Sequence, residues 1–134
     1  MSEHDGMGYG IGKTLDIPFD DAMTSVRDAL AAQGFGVLTE IDMSATLKQK
    51  LGVDVDRQVI LGACNPPLAY RAVQAEASIG LLLPCNVLVR DAGEGRTLVE
   101  AMDPQVMVSV TDNPDLRGVA DEAAEKLKKA LDSL

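Results

Sequence analysis

Two strand-like runs separated by a short glycine-containing loop limit most strongly what this chain can fold into. CNVLVRD at residues 85–91 and RTLVEAM at residues 96–102 flank the stretch AGEG. Two strand patterns joined by a loop of this length and composition are typical of a β-hairpin. The sequence therefore predicts two adjacent antiparallel strands, and with them a sheet that is largely antiparallel or mixed.

The chain before this hairpin alternates between strand and helix patterns. Further strands are predicted at residues 9–17, 35–43 and 57–64. Apolar residues recur at helical spacing from Phe19 to Leu30, and Gly34 is placed to end that helix. A shorter helix is predicted over SATLKQK, where Gly52 stops it.

Two Asn-Pro pairs predict the starts of the remaining helices. Asparagine caps a helix N-terminus, and proline fits the first helical position because an N–H group there has no partner within the helix. Asn65-Pro66 therefore begins a helix whose apolar stripe reaches Ile79. Asn113-Pro114 gives the same signal before the last helix.

The order of these elements predicts the fold class. The order is β-α-β-α-β-α-β-β-α, which indicates an α+β fold with a mainly antiparallel sheet and helices packed on one face. Residues 9–134 are predicted to form a single α+β domain, and residues 1–8 a flexible N-terminus.

The charge and composition argue against several classes of partner. The 134 residues carry a formal charge of −9 with a pI near 4.4, which repels phosphate backbones and argues against nucleic acid. No apolar stretch reaches the roughly 18 residues of a membrane-spanning helix, and the first residues lack the pattern of a signal peptide. Two cysteines without an export signal are expected to be reduced thiols. We therefore expect a cytoplasmic protein.

The glycine-rich stretch GMGYGIGKT looks like a phosphate-binding loop but fails on spacing. A Walker loop that ends in Gly12-Lys13-Thr14 needs glycine at the position of Met7. A dinucleotide fingerprint that begins at Gly8 and Gly10 needs its third glycine at the position of Lys13. The stretch is instead predicted to lead into an edge strand. His4 is the only histidine, and with two cysteines it falls short of the roughly four ligands of a zinc site. We therefore predict no bound metal, and no cofactor is assigned.

The dipeptide Cys-Asn occurs twice and provides the candidate site. Cys64-Asn65 closes a strand before a helix, where a thiol is favoured as the reactive thiolate. Cys85-Asn86 opens the next strand. Structural roles are the alternative, because free cysteine is often a small buried side chain and Asn65 is a helix cap. If the two strands are antiparallel, both thiols can lie at one end of the sheet, and if they are parallel, the thiols are far apart. The spacing of the two cysteines in the sequence does not decide between these arrangements.

The segment around Pro84 is predicted to border a pocket. Pro84 has no backbone N–H group to donate to a neighbouring strand. Burying the side-chain amide of Asn86 without hydrogen-bond partners costs roughly 1–3 kcal/mol. Asn86 therefore finds partners either in the backbone of a turn or in an open cavity, and we expect Cys85 to lie at least partly inside such a cavity. Glu76 and Asp103, which lie near these elements, are further candidates for the pocket edge.

Three longer segments resemble the domain-of-unknown-function 302 family. They are GFGVLTEIDM…TLKQKLGVD, LGACNPPLAYRAVQAEASIGLLLPCNVLV and VEAMDPQVM. The family pattern maps onto Cys64-Asn65-Pro66, Ile79-Gly80-Leu81, Pro84-Cys85-Asn86 and Asp103-Pro104. The resemblance implies a small bacterial or archaeal protein with a fold of the TATA-binding-protein type, often dimeric. It assigns no biochemical role to any of these residues.

Two functions from different classes remain. The first is a module for small-molecule binding or thiol redox chemistry that uses Cys64, Asn65, Cys85 and Asn86. The second is a non-catalytic structural or interaction domain in which these residues only support the fold. Binding is favoured over catalysis because no nucleophile–base pair can be identified. We also expect a homodimer, because IGLLLPCNVLV is more apolar than a one-sided sheet needs and because the resemblance implies one.

Overall fold

The structure is a computed structural model that describes residues 8–134. Residues 1–7, which include His4 and most of the predicted N-terminal segment, lie outside the described residues. Within residues 8–134, no helix combines the length and the apolar character needed to cross a membrane.

The described chain contains five strands and five helices. The strands are β1 (Gly10–Leu15), β2 (Gly36–Asp42), β3 (Gln58–Cys64), β4 (Cys85–Gly93) and β5 (Arg96–Met102). The helices are α1 (Phe19–Ala32), α2 (Met43–Leu51), α3 (Pro66–Ala75), α4 (Gln105–Thr111) and α5 (Arg117–Asp132), with 3₁₀ segments at Ile79–Leu82 and Pro114–Leu116. The predicted order of elements is confirmed, and α4 is added to it.

The strands form one sheet in the order β1-β5-β4-β3-β2. Each neighbouring pair is antiparallel. The predicted hairpin is β4–β5, and its turn places Gly93, Glu94 and Gly95 at φ angles of 82°, 57° and 73°. Glycine adopts such angles without steric cost, which explains the two glycines in AGEG. The α+β class with an antiparallel sheet is therefore confirmed.

The two faces of the sheet differ because side chains alternate along each strand. On β4, Val87 and Val89 are buried beneath α1 and α5, while Asn86 and Leu88 point to the other side. We call this second side the open face. Antiparallel sheets commonly bury one face and leave the other to solvent.

The apolar core consists of two clusters. The sheet cluster joins the inner face of the sheet to α1 and α5 through residues such as Val26 and Leu127. The helical cluster joins α3, α4 and α5 through residues such as Leu68, Met107 and Val119. The long amphipathic helix α5 contributes to both clusters, so it holds them together.

Helix α3 is shorter than the sequence predicts. It ends at Ala75, and Glu76 adopts an extended conformation with φ of −145° and ψ of 106°. The amide of Asn113 donates to the carbonyl oxygen of Ala75 and to the carboxylate of Glu76, both at 2.9 Å, which satisfies a carbonyl at the helix end. The prediction that this helix continues to Ile79 was therefore wrong, although Ile79 is buried in the helical cluster.

Helix α4 was not predicted. Asp103-Pro104 follows the end of β5 and begins a turn, as expected, and the carboxylate of Asp103 accepts a hydrogen bond from the N–H of Gln105 at 3.0 Å. The following helix, QVMVSVT, contains three valines. Because β-branched residues lower helix propensity, packing of Met107 into the helical cluster stabilises this helix more than local preference does.

Candidate functional site

A cavity of about 290 Å³ lies where the sheet cluster meets the helical cluster. One wall comes from the ends of β3 and β4 and includes Ala63, Pro84 and Cys85. The opposite wall comes from α3, α4 and α5 and includes Ala72 and Met107. Apart from two thiols and one asparagine, the side chains around it are apolar.

Small side chains provide the volume. Ala63, Ala72 and Ala123 come from three different elements, line the cavity and are at most 4% exposed. Protein interiors are normally packed as densely as organic crystals. Three alanines that converge at one place leave space that longer apolar side chains would fill, so the cavity follows from the sequence of β3, α3 and α5.

A β-bulge brings Leu38 to the cavity. The register of β2 against β3 shifts between Val37, which pairs with Ala63, and Thr39, which pairs with Gly62. Leu38 is the additional residue of this bulge, and it lines the cavity while 67% exposed. Bulges redirect side chains and are frequent beside functional sites. Leu38 therefore lies on the side of the cavity that faces solvent.

Both cysteines line the cavity, and both are free thiols. Strands β3 and β4 are antiparallel, and Ala63 pairs with Cys85. Cys64, the last residue of β3, and Cys85, the first residue of β4, therefore lie at the same end of the sheet. Burial, with a smaller contribution from Cys64, raises the pKa of Cys85 from its ordinary 9.0 to about 11. Cys85 is therefore protonated at neutral pH, and a protonated thiol is a poor nucleophile.

Asn65 shapes the wall of the cavity through the backbone. Its side-chain oxygen accepts a hydrogen bond from the N–H of Leu68 at 3.4 Å, as the cap of α3. Its side-chain nitrogen donates to the carbonyl of Gln33 at 3.3 Å, just beyond the end of α1. Asn65 therefore links two helices, and both ends of its amide have backbone partners.

Three of the predicted residues lie away from the cavity. Asn86 is on the open face, because it follows Cys85 on an alternating strand. Glu76 accepts a hydrogen bond from the asparagine that caps the second 3₁₀ segment, and the carboxylate of Asp103 accepts one from the N–H of Gln105, the first residue of α4. Of the residues predicted at the pocket edge, Pro84 is the one that lines the cavity.

Sequence reasoning missed much of the cavity wall. Ala72 and Ala123 belong to the predicted apolar stripes, but a stripe position does not tell whether the space opposite it is filled. Met107 lies on the unpredicted helix α4. Leu38 reaches the cavity through a bulge, which depends on pairing with β3 and leaves no local signal.

The chemistry available at this site is limited. It offers an apolar pocket that is partly open to solvent, a half-buried thiol at Cys64, a buried protonated thiol at Cys85 and an amide that is already bonded. Among residues 8–134, no group of three or more His, Cys, Asp or Glu side chains could hold a metal ion. The arrangement is suited to enclosing an apolar molecule.

Comparison with known proteins identifies the family. A family model described as domain of unknown function DUF302 matches residues 11–134. The chain belongs to the DUF302 family. The resemblance found in the sequence is thus confirmed. No curated protein matches the chain.

A solved DUF302 structure has the same fold. It is the crystal structure of an uncharacterized conserved protein from Bacillus stearothermophilus, with a TM-score of 0.86 and 26% sequence identity. The match covers 95% of this chain and 98% of that chain. The two proteins therefore share the arrangement of strands and helices.

Proposed function

We propose that this DUF302 protein binds a small, predominantly apolar molecule in the cavity between the sheet and helical clusters. The observation that carries the proposal is an apolar pocket of about 290 Å³ that is partly open to solvent. An engineered apolar cavity of roughly 150 Å³ is large enough to bind benzene. A ligand with one ring and a short substituent, or an aliphatic chain of similar volume, matches the space in this protein.

The physical basis for binding is the loss of contacts around the cavity. Apolar side chains that border a partly open pocket lack close apolar partners on that side, and each missing contact weakens packing. Ala72 and Met107 are at most 2% exposed and border the cavity. An apolar ligand would give these side chains new contacts and would itself be removed from water. Both changes make the free energy of binding more favourable.

The thiols support binding more than redox chemistry. Thiol–disulfide exchange requires a thiolate, whereas the pKa of Cys85 is raised to about 11 by burial and by Cys64. Cys64 is half-buried at the start of α3 and is the more accessible thiol. We propose that both thiols act mainly as soft, weakly polar contacts for the ligand, in a reducing cytoplasmic setting.

The test is thermal unfolding in the presence of toluene. A ligand that binds only the native state raises Tm as its concentration increases. Ala69, on α3, lines the cavity and is half-buried, so Ala69→Leu should fill part of the space and reduce the toluene effect. Ala75→Leu is the matched control, because Ala75 is half-buried on the same helix but does not line the cavity.

The expected result is a rise in Tm with toluene for the wild type and for Ala75→Leu, and a much smaller rise for Ala69→Leu. Equal responses of the two variants would mean that toluene binds elsewhere. The absence of any rise in the wild type would contradict the proposal.

The homodimer is retained as a second proposal, for an interaction role. Edge strand β2 carries Leu38 and Ile41, which are 67% and 45% exposed. Leu81, in the first 3₁₀ segment, is 87% exposed. Such side chains favour contact with another protein surface. Light scattering at micromolar concentration should give twice the chain mass of 14.2 kDa, and a monomer mass would reject the dimer.

A further inference from the structure

The open face of the sheet has a depression of about 310 Å³ at its centre. Strands β1, β3, β4 and β5 form it, together with Tyr9, and none of the five described helices contributes a lining residue. Because Cys85 and Asn86 point to opposite faces of β4, this depression and the apolar cavity lie on opposite sides of the sheet. The two are therefore separate sites.

Gly10 of β1 lines this depression, and Gly12 makes room for a side chain that lines it. Gly10 pairs with Met102, and Gly12 pairs with Glu100. A Cβ atom at Gly12 would lie 3.2 Å from Cγ of Glu100, a tight contact, so the glycine lets the glutamate side chain lie across β1. Glycine inside a strand often marks the close approach of another group. Gly10 and Gly12, which do not belong to a phosphate loop, thus leave space on the open face.

Polar groups converge on the depression with unused hydrogen-bonding capacity. The side chain of Glu100 is only 13% exposed, and one carboxylate oxygen, Oε1, accepts a hydrogen bond from Arg90 at 3.3 Å. Among the described residues, the side-chain amides of Asn86 and Gln58 and the hydroxyl of Tyr9 have no hydrogen-bond partner. The depression therefore offers a shielded carboxylate, ion-paired with Arg90 at its side, and several neutral polar groups.

An apolar surface lies beside these groups. Ile60 and Leu88 are paired across β3 and β4, point to the open face and are half-buried. A ligand with a carbon body can rest on them while its polar end reaches Glu100, which pairs with Leu88 across β4 and β5.

We propose that the open face binds a small organic cation, an ammonium or amidinium group attached to an apolar body. The cationic group donates hydrogen bonds to the carboxylate of Glu100, which it shares with the guanidinium of Arg90. Asn86 and Gln58 accept further hydrogen bonds from the same group, and the apolar body covers Ile60 and Leu88. The net charge of −9 favours a cation over an anion at long range. This inference does not depend on the ligand of the apolar cavity.

Three ligands of one shape test the proposal: benzylamine, which is protonated at pH 7, neutral benzyl alcohol and anionic benzoate. Binding is measured from NMR shifts of the amides of Ile60, Leu88 and Glu100. Benzylamine should bind about tenfold or more tightly than benzyl alcohol, because hydrogen bonds to charged groups are the stronger ones. Benzoate should bind most weakly.

Two variants and a control locate the effect. Glu100→Gln should lower the affinity for benzylamine about tenfold and remove the preference over benzyl alcohol. Asn86→Ala, at an exposed position, should lower it severalfold without affecting the fold. Glu122→Gln is the control, because it removes the same charge from a surface ion pair with Arg71 and should change nothing.

Several outcomes would overturn the proposal. Equal affinities of Glu100→Gln and Glu122→Gln for benzylamine would mean that the overall charge alone matters. Equal binding of benzylamine and benzyl alcohol would remove the role of the carboxylate. Light scattering that shows a dimer in the wild type and a monomer in Leu88→Lys would show that a second copy covers the depression.

Discussion

Ala63 on β3 and Cys85 on β4 are directly paired in the antiparallel ladder, and both side chains line the apolar cavity. The pairing fixes one wall of the cavity by strand register. A shift of one residue would turn Cys85 to the open face and Asn86 towards the cavity. The position of Cys64 at the same end of the sheet follows from this register.

The two thiols should react at different rates. Cys64 is half-buried, whereas Cys85 is 7% exposed and its pKa is raised to about 11. At pH 8 about one thousandth of Cys85 is thiolate. An aromatic disulfide reagent at pH 8 should therefore modify one thiol rapidly and the other slowly, and Cys64→Ser should remove the rapid phase. Two equally rapid thiols would contradict this assignment.

The shifted pKa of Cys85 should make stability fall at alkaline pH. The unfolded chain loses this proton near pH 9.0, whereas the folded protein holds it until about pH 11. The contribution of this thiol to the free energy of unfolding is therefore fully present below about pH 9. It falls by about 2–3 kcal/mol as pH rises towards 11. Urea unfolding from pH 8 to 11 should show a steeper decline for the wild type than for Cys85→Val. Parallel curves would show that this thiol is not responsible.

A side chain at Gly62 should lower the stability of the folded protein. A Cβ atom there would lie 2.9 Å from Cγ of Pro84 and would also clash with the hydroxyl of Thr39. Gly62→Ala should therefore cost about 1–3 kcal/mol of unfolding free energy, as overpacking typically does. Gly80→Ala is the control, since a Cβ atom there meets nothing within 4 Å. Equal urea midpoints for the two variants would disprove this account of Gly62.

The sequence was sufficient for most of the fold because its signals are local. The hairpin loop AGEG and the cap Asn65 act within a few residues of the elements they define, and both are present in the structure. Asn113 caps the 3₁₀ segment that leads into α5, so the last helix itself begins at Arg117, later than predicted. Helix α4 was missed because its valines disfavour helix locally, and packing of Met107 compensates. Tertiary contact therefore outweighs local preference in this segment.

The candidate site was predicted only in part, for a related reason. Pro84 and Cys85 line the cavity, whereas Asn86 lies on the open face. The strand that begins at Cys85 alternates its side chains from the first residue, and the sequence did not show where this alternation starts. Cavity volume depends on which alanines face one another across β3, α3 and α5, and no local pattern contains that information.

The most direct measurement of the central claim is an NMR experiment that detects nuclear Overhauser effects between toluene and the methyl groups of the protein. Toluene bound in the cavity should give contacts to the methyl groups of Ala72, Met107 and Val119, which line it from α3, α4 and α5. Contacts confined to Ile60 and Leu88 on the open face, or none at all at saturating toluene, would contradict the proposal that this DUF302 protein binds an apolar molecule between its two core clusters.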